Sequence, residues 1–287
     1  MNFGIIYLFI FILGTIVGSF LNVVALRWNT GLSISRGRSR CFSCSKNLAW
    51  YELVPLFSFI FLRGRCSGCK SKISWQYPLV EFLTGVIFLA IIYKNFYLLS
   101  LSPLYFILST LLLFSIFSLL MVIAIYDFRH KIIPDTLSYA FSFFALIYLF
   151  FRFFSYGTLG QVTLLDFLAG PIFFTPFFLL WFFSKGKWIG LGDGKLALGI
   201  GFFLGFINGL SAIAMAFWIG AIFGLIFMGL GKLSKLKILG SGRLSLFTKN
   251  LTMKSEIPFA PFLIFGLVIA FFLVYDVLGI TVFMQLW

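Results

Sequence analysis

The sequence predicts an all-α polytopic membrane protein, with about eight transmembrane helices and a cytoplasmic zinc-ribbon-like loop after the first. Three observations carry that expectation. Of 287 residues, 61% are hydrophobic and only 10% charged, and the mean hydropathy is +1.09, well beyond a soluble domain. The apolar residues run on for roughly the 20 positions an α-helix needs to cross hydrocarbon, rather than alternating as in barrel strands. All four cysteines fall as two CxxC pairs inside one hydrophilic loop.

The spans are expected near 3–27, 78–94, 101–126, 136–155, 164–184, 195–207, 210–231 and 257–285. The first has no basic start and no small-residue cleavage pattern, so it reads as a retained span rather than a signal peptide. Its Gly14 and Gly18 form a GxxxG face suited to close helix packing. Asn22 then bonds to a neighbouring helix or contacts substrate. The sixth span is short, and its boundary with the seventh is placed around Asn208. The last is long enough to tilt or bend. These spans divide the chain into a first helix (1–27), a cysteine loop (28–77) and a membrane core (78–287).

A net charge of +14 is common among nucleic-acid binders, but its distribution points elsewhere. With the N-terminus outside, the inside loops are 28–77, 127–135, 185–194 and 232–256. These loops and their flanks hold every Lys and Arg of the chain except Lys94 and Arg152. Such asymmetry sets topology and meets anionic lipid. The expected partner is therefore the bilayer, and no nucleic acid.

In the first inside loop, Cys41-Phe-Ser-Cys44 and Cys66-Ser-Gly-Cys69 are separated by 21 residues. Paired CxxC knuckles present four sulfurs to one tetrahedral Zn²⁺, though the gap slightly exceeds the usual spacing of roughly 15–20. The alternatives are four reduced thiols or two disulfides, and a reducing compartment disfavours the latter. Four thiolates leave no open coordination position, so a zinc site here is structural. The apolar insert from Leu48 to Leu62 is too short to span, and Pro55 interrupts it. It reads as a short helix lying against the membrane interface.

Only eight carboxylates occur in the chain, and an ionisable group near hydrocarbon is costly and often functional. Asp193 lies in Gly190-Leu191-Gly192-Asp193-Gly194-Lys195, where Gly190 and Gly192 permit close backbone approach. Asp127 ends the third span and Asp193 begins the sixth, so alternation of spans puts both at the same membrane face. Two carboxyls brought together share a proton, leaving one acid and one base available to activate water and protonate a leaving amine. Asp135 follows Pro134 and reads as a helix N-cap, with dyad membership as its rival role. Lys195 is either a topology anchor or a bias on the dyad's protonation. Glu81 either pairs with a loop Arg or serves a second site. Glu52, Asp166, Glu256 and Asp276 lack such contexts. With one histidine, His130, and no nucleophilic serine motif, a Ser-His-Asp mechanism is not expected.

These residues resemble the type IV prepilin peptidases, the GxGD leader peptidases with N-methyltransferase activity. The resemblance runs through Gly18-Ser-Phe-Leu-Asn22, the two CxxC pairs and Leu62-Arg-Gly-Arg65-Cys66. It continues through Ile73-Ser-Trp-Gln-Tyr77-Pro78-Leu-Val-Glu81, then Asp127 with Ile133-Pro134-Asp135. Gly190 to Lys195 follows, and Ile257-Pro258-Phe259-Ala260-Pro261-Phe262 closes it. It implies that Asp127 and Asp193 are the catalytic aspartates, with Gly190, Gly192, Lys195 and Asp135 in support. The implied reaction removes the basic leader of prepilins or pseudopilins at the cytoplasmic face of the bacterial inner membrane. S-adenosyl-L-methionine then donates a methyl to the new terminal residue, typically Phe. The cysteine loop goes with methyltransferase-bearing members, and Cys41, Cys44, Cys66 and Cys69 are the expected metal ligands. No glycine-rich dinucleotide fingerprint locates the methyl donor. Ala260 stands where Gly is common, and Gly194 where a larger residue is frequent. Two other readings stand beside this one. The chain is a peptidase whose zinc loop is purely structural, or a non-enzymatic transporter or scaffold. A transporter would place acids at the midplane rather than at one face.

Overall fold

The computed structural model describes residues 3–154, 162–235 and 258–273. Among these residues the regular structure is helical, apart from two isolated β-bridges. The helices are α1 (Phe3–Arg27), a single 3-10 turn (Trp50–Glu52), α2 (Phe57–Phe61), α3 (Gln76–Asn95), α4 (Leu98–Leu101) and α5 (Pro103–His130). Then come α6 (Asp135–Phe154), α7 (Leu164–Ser184), α8 (Leu191–Lys235) and α9 (Ala260–Leu273). Six of them (α1, α3, α5, α6, α7 and α8) are long and apolar enough to cross a membrane. The chain divides into two compact units, Met1–Tyr126 and Asp127–Trp287. The end of the expected last span (274–285), most of the basic loop 232–256, and Glu256 and Asp276 lie outside the described residues.

In the first unit, α1 packs on α3 through the expected GxxxG face. A Cβ on Gly14 would come within 2.7 Å of the Gly85 backbone, and one on Gly18 within 2.8 Å of Glu81 Cα. Only hydrogen at these positions lets the two backbones approach so closely. Asn22, buried one turn further on, takes the first of its two expected roles. It donates to the Tyr77 carbonyl of α3 at 3.4 Å and accepts from Gln76 Nε2 at 3.2 Å. At the far end of α3, buried Asn95 donates to Ser109 and Thr110 of α5.

The second unit is built around α8, which packs against α6, α7 and α9. Its sequence is helical from Leu191, but Gly205 breaks it at φ 78° and ψ −172°, a backbone that favours glycine. The register along α7 shows that the chain reverses there. Gly201 lies against Gly170, Gly205 against Asp166, and Gly209 against Phe173. Phe177 packs on Gly194 before the break and on Phe217 after it. The sixth and seventh expected spans are thus two arms of one tight helical hairpin, divided at Gly205 rather than near Asn208.

Asp166 holds that hairpin. One oxygen accepts from the Thr163 backbone N–H at 2.8 Å, closing a capping box at the start of α7. The other accepts from Phe206 N at 2.9 Å, the first donor freed by the break. Sequence reading gave Asp166 no role, because its partner is a backbone group 40 residues away. Asp166→Ala orphans both donors and is expected to cost about 2 kcal/mol. The measurement is the thermal unfolding midpoint in detergent, with Asp166→Asn falling between the two.

Candidate active site and thiolate cluster

Asp127 lies in the last turn of α5 and is 4% exposed. Its Oδ2 accepts a hydrogen bond from the backbone N–H of Ala260 at 3.2 Å. Ala260 is the first residue of α9, where N–H groups have no partner within the helix, and its side chain is fully buried. It contributes through its backbone, so Ala serves where Gly is common. Chain reversal after Asp127 uses Lys131, which has φ 55° and donates its N–H to the Asp127 carbonyl at 2.7 Å.

Asp193 sits in the first turn of α8, with its N–H on the Gly190 carbonyl at 3.3 Å. The neighbouring glycines behave differently. A Cβ on Gly192 would meet Ile133 Cβ at 2.9 Å, so this glycine admits the α5–α6 turn. Gly190 has room, its nearest side-chain atom being Asp193 Oδ2 at 3.8 Å. At Gly194, Phe174 and Phe177 of α7 occupy the space a larger residue would need.

A series of aromatic contacts in the second unit runs from the turn of Asp193 toward the partner of Asp127. Phe177, against Gly194, packs on Phe217 at 6.2 Å, and Phe217 packs on Phe259 at 5.0 Å. Phe259 adjoins Ala260, which holds Asp127. Asp135 takes a different partner. It opens α6, is 62% exposed, and pairs with Lys195 Nζ at 2.7 Å. Lys195, 11% exposed, also lies 5.1 Å from the centre of the Tyr139 ring. This pair ties the start of α6 to the turn of α8 that carries Asp193.

In the first unit the two CxxC segments form matching knuckles. Cys41 N–H donates to Lys46 and Ser45 N–H returns to Cys41; Cys66 N–H donates to Ser71 and Lys70 N–H returns to Cys66. Ser45 and Lys70 hold equivalent left-handed conformations at φ 56° and 59°. A β-bridge flanks each knuckle, Arg40 with Asn47 and Arg65 with Lys72. All four Sγ atoms lie within 4.8 Å of one another, so the cluster could hold a metal ion. Tetrahedral Zn–S bonds of about 2.3 Å put sulfurs about 3.8 Å apart, and Cys41 and Cys69 are separated by 3.8 Å. No disulfide joins them.

Protonation within the cluster is uneven. Backbone N–H groups of Cys44 and Ser43, with the Ser71 hydroxyl, lower the Cys41 thiol to about 6. Cys44 receives the Lys46 N–H, yet the crowding sulfur of Cys69 pushes it up to about 11. Glu52 joins the knuckles from the insert. Buried at 6% exposure, it accepts from Ala49 N at 2.8 Å, from Lys46 Nζ at 3.2 Å and from the Ser67 hydroxyl. The Ser67 and Ala49 hydrogen bonds and the Lys46 charge lower its pKa. As expected, the insert is broken at Pro55, and it is not one helix but a 3-10 turn followed by α2.

A helical scaffold with six helices able to cross a membrane, a buried aspartate at the end of α5, a second aspartate in the first turn of α8 and a four-cysteine double knuckle define a class of polytopic membrane proteins. A family model described as the Type IV leader peptidase family matches residues 112–225, and the Bacterial Peptidase A24 N-terminal domain matches 12–95. A prepilin leader peptidase/N-methyltransferase of Pectobacterium carotovorum is 32% identical over 80% of this chain and 86% of its own. The protein of that name from Vibrio cholerae is 30% identical over 70% of this chain and 78% of its own. One from Myxococcus xanthus is 57% identical over 82 residues, 29% of this chain and 24% of the relative. In that protein and its Bacillus subtilis namesake, the match spans a third or less of the relative's length. No solved structure matches. The chain belongs to the type IV leader peptidase family.

Proposed function

We propose that this protein removes the basic leader of prepilins or pseudopilins with an Asp127–Asp193 dyad and then N-methylates the new terminus. The peptidase reading is supported by the buried Asp127 held by Ala260 N–H and the aromatic series that runs from Phe259 to the turn of Asp193. One carboxylate accepts a proton from water as it attacks the scissile carbonyl, and the other donates a proton to the departing amine. The Ala260 N–H steadies Asp127, while the Lys195–Asp135 pair positions the turn bearing Asp193. The basic loops face the cytoplasm with the N-terminus outside, which brings the dyad to the junction of leader and apolar helix.

Methylation follows from the name the relatives carry, with S-adenosyl-L-methionine as donor. The cysteine cluster fits Zn²⁺ in its sulfur spacing and its all-thiolate donor set. Cys41, Cys44, Cys66 and Cys69 would hold Zn²⁺ as thiolates, and the bound ion would supply a structural crosslink. Glu52→Ala unties the two knuckles and is expected to weaken metal retention roughly tenfold. Chelator-driven zinc release from the full-length protein measures it. The whole reading is tested by co-expression with a prepilin and mass spectrometry of its mature N-terminus. The expected product lacks its leader and carries one methyl group. An unprocessed substrate favours the scaffold reading.

A further inference from the structure

Neither the dyad nor the thiolate cluster uses Glu81. It lies in the second turn of α3 and is 7% exposed. No Arg pairs with it, since the described ion pairs are Lys46–Glu52 and Lys195–Asp135. Oε2 accepts from the backbone N–H of Leu56 at 2.8 Å, and the Ser19 side chain lies beside the carboxyl. From α1 the facing residues are Ser19 and Gly18, and from the insert Leu56; none is charged. Leu56 itself is held at φ 62° and ψ −50°, with Phe57 N–H on the Pro55 carbonyl at 2.7 Å. That is a left-handed γ-turn, a rare and strained conformation.

A carboxylate has about four acceptor positions, and the Leu56 N–H fills one of them. An intramembrane acid without a cationic partner is expensive to keep. The proposed reaction generates a matching cation. Leader removal exposes an α-ammonium group on the substrate, and that group must lose a proton before its nitrogen can be methylated.

We infer that Glu81 is the site that binds and deprotonates the new α-ammonium group during methylation, an inference that rests on the methyltransferase reading above. The ammonium passes one proton to the Glu81 carboxylate, leaving a neutral amine and a carboxylic acid. The amine lone pair attacks the methyl carbon of a sulfonium donor. The C–N bond forms as the C–S bond breaks, and the bonding pair stays on sulfur as a thioether. The resulting methylammonium and the Glu81 acid each release their proton to water. The Leu56 N–H holds the carboxylate in place, with Ser19 beside it.

The experiment compares Glu81→Gln with wild type in full-length protein reconstituted with a prepilin, reading both products by mass spectrometry. Cleavage is expected to stay within about twofold, while methylation at pH 6.5 falls by about two orders of magnitude. A free α-amine titrates near 7.7–8.0, so methylation by the variant should recover toward wild type as pH rises to 9. A direct arm measures binding of a mature pilin peptide beginning with Phe. The variant should lose affinity for the free-amine peptide and keep it for the N-acetylated one. Wild-type methylation by the variant overturns the assignment. So does a methylation loss that pH leaves unchanged, or an equal loss of cleavage, either of which makes Glu81 a clasp for the Leu56 turn. If wild type itself adds no methyl group, the parent reading fails, and equal binding of both peptides by wild type and variant then rejects the amine site as well.

Discussion

Replacing Asp193 by Asn is expected to lower prepilin cleavage by about three orders of magnitude or more, with the protein still inserted and helical. An amide cannot take up a proton from water, so half of the proton relay is lost. Asp127→Asn should do the same, because the amide still accepts from Ala260 N–H but no longer exchanges a proton. The two residues act as a unit, so the double variant should be little worse than either single one. Asp135→Asn is a sharper comparison. It breaks the 2.7 Å pair with Lys195 and removes a positioning contact only, so a loss of about tenfold is expected. A gel mobility shift of the co-expressed prepilin reads all four. Intact processing in both single dyad variants would sink the carboxylate mechanism, and a full loss in Asp135→Asn would move Asp135 into the dyad.

Cys41→Ser is expected to lower methylation by an order of magnitude or more and leave cleavage within about threefold. One oxygen in place of sulfur removes a ligand from a four-sulfur cluster whose Cys41–Cys69 edge is already at zinc spacing. Metal content of the purified variant should fall in parallel. The dyad lies in the other compact unit, and its carboxylates take their hydrogen bond and aromatic neighbours from α7, α8 and α9. Equal loss of both activities would mean that the cysteine loop supports the whole enzyme rather than the transfer step.

Much of this architecture is legible before any coordinates. Hydropathy locates the long helices because continuous apolar runs are the physical condition for crossing lipid. Gly14, Gly18 and the CxxC pairs are legible because their spacing is itself the geometry. What stays hidden is contact made through backbone. Nothing about Ala260 as a side chain points to Asp127, although the prolines at 258 and 261 mark a helix start where free N–H groups gather. Likewise the hairpin break falls at Gly205 rather than Asn208. Polarity alone favours the Asn, whereas the turn requires a left-handed residue and an acceptor, Asp166, to satisfy the freed donor. Glu52 is hidden for a different reason, since its side-chain partners Lys46 and Ser67 belong to two knuckles that sequence places on either side of it.

The contact of Phe177 with Gly194 makes α7 taller than the turn that carries Asp193. Phe177 stands seven residues before the end of α7 at Ser184, which is about 10 Å along a helix axis. Two turns of α7 therefore stand as a wall on one side of Asp193. A substrate helix arriving from that side meets the wall before the acid, so the flank of α7 can steer its approach before any side chain reads its sequence.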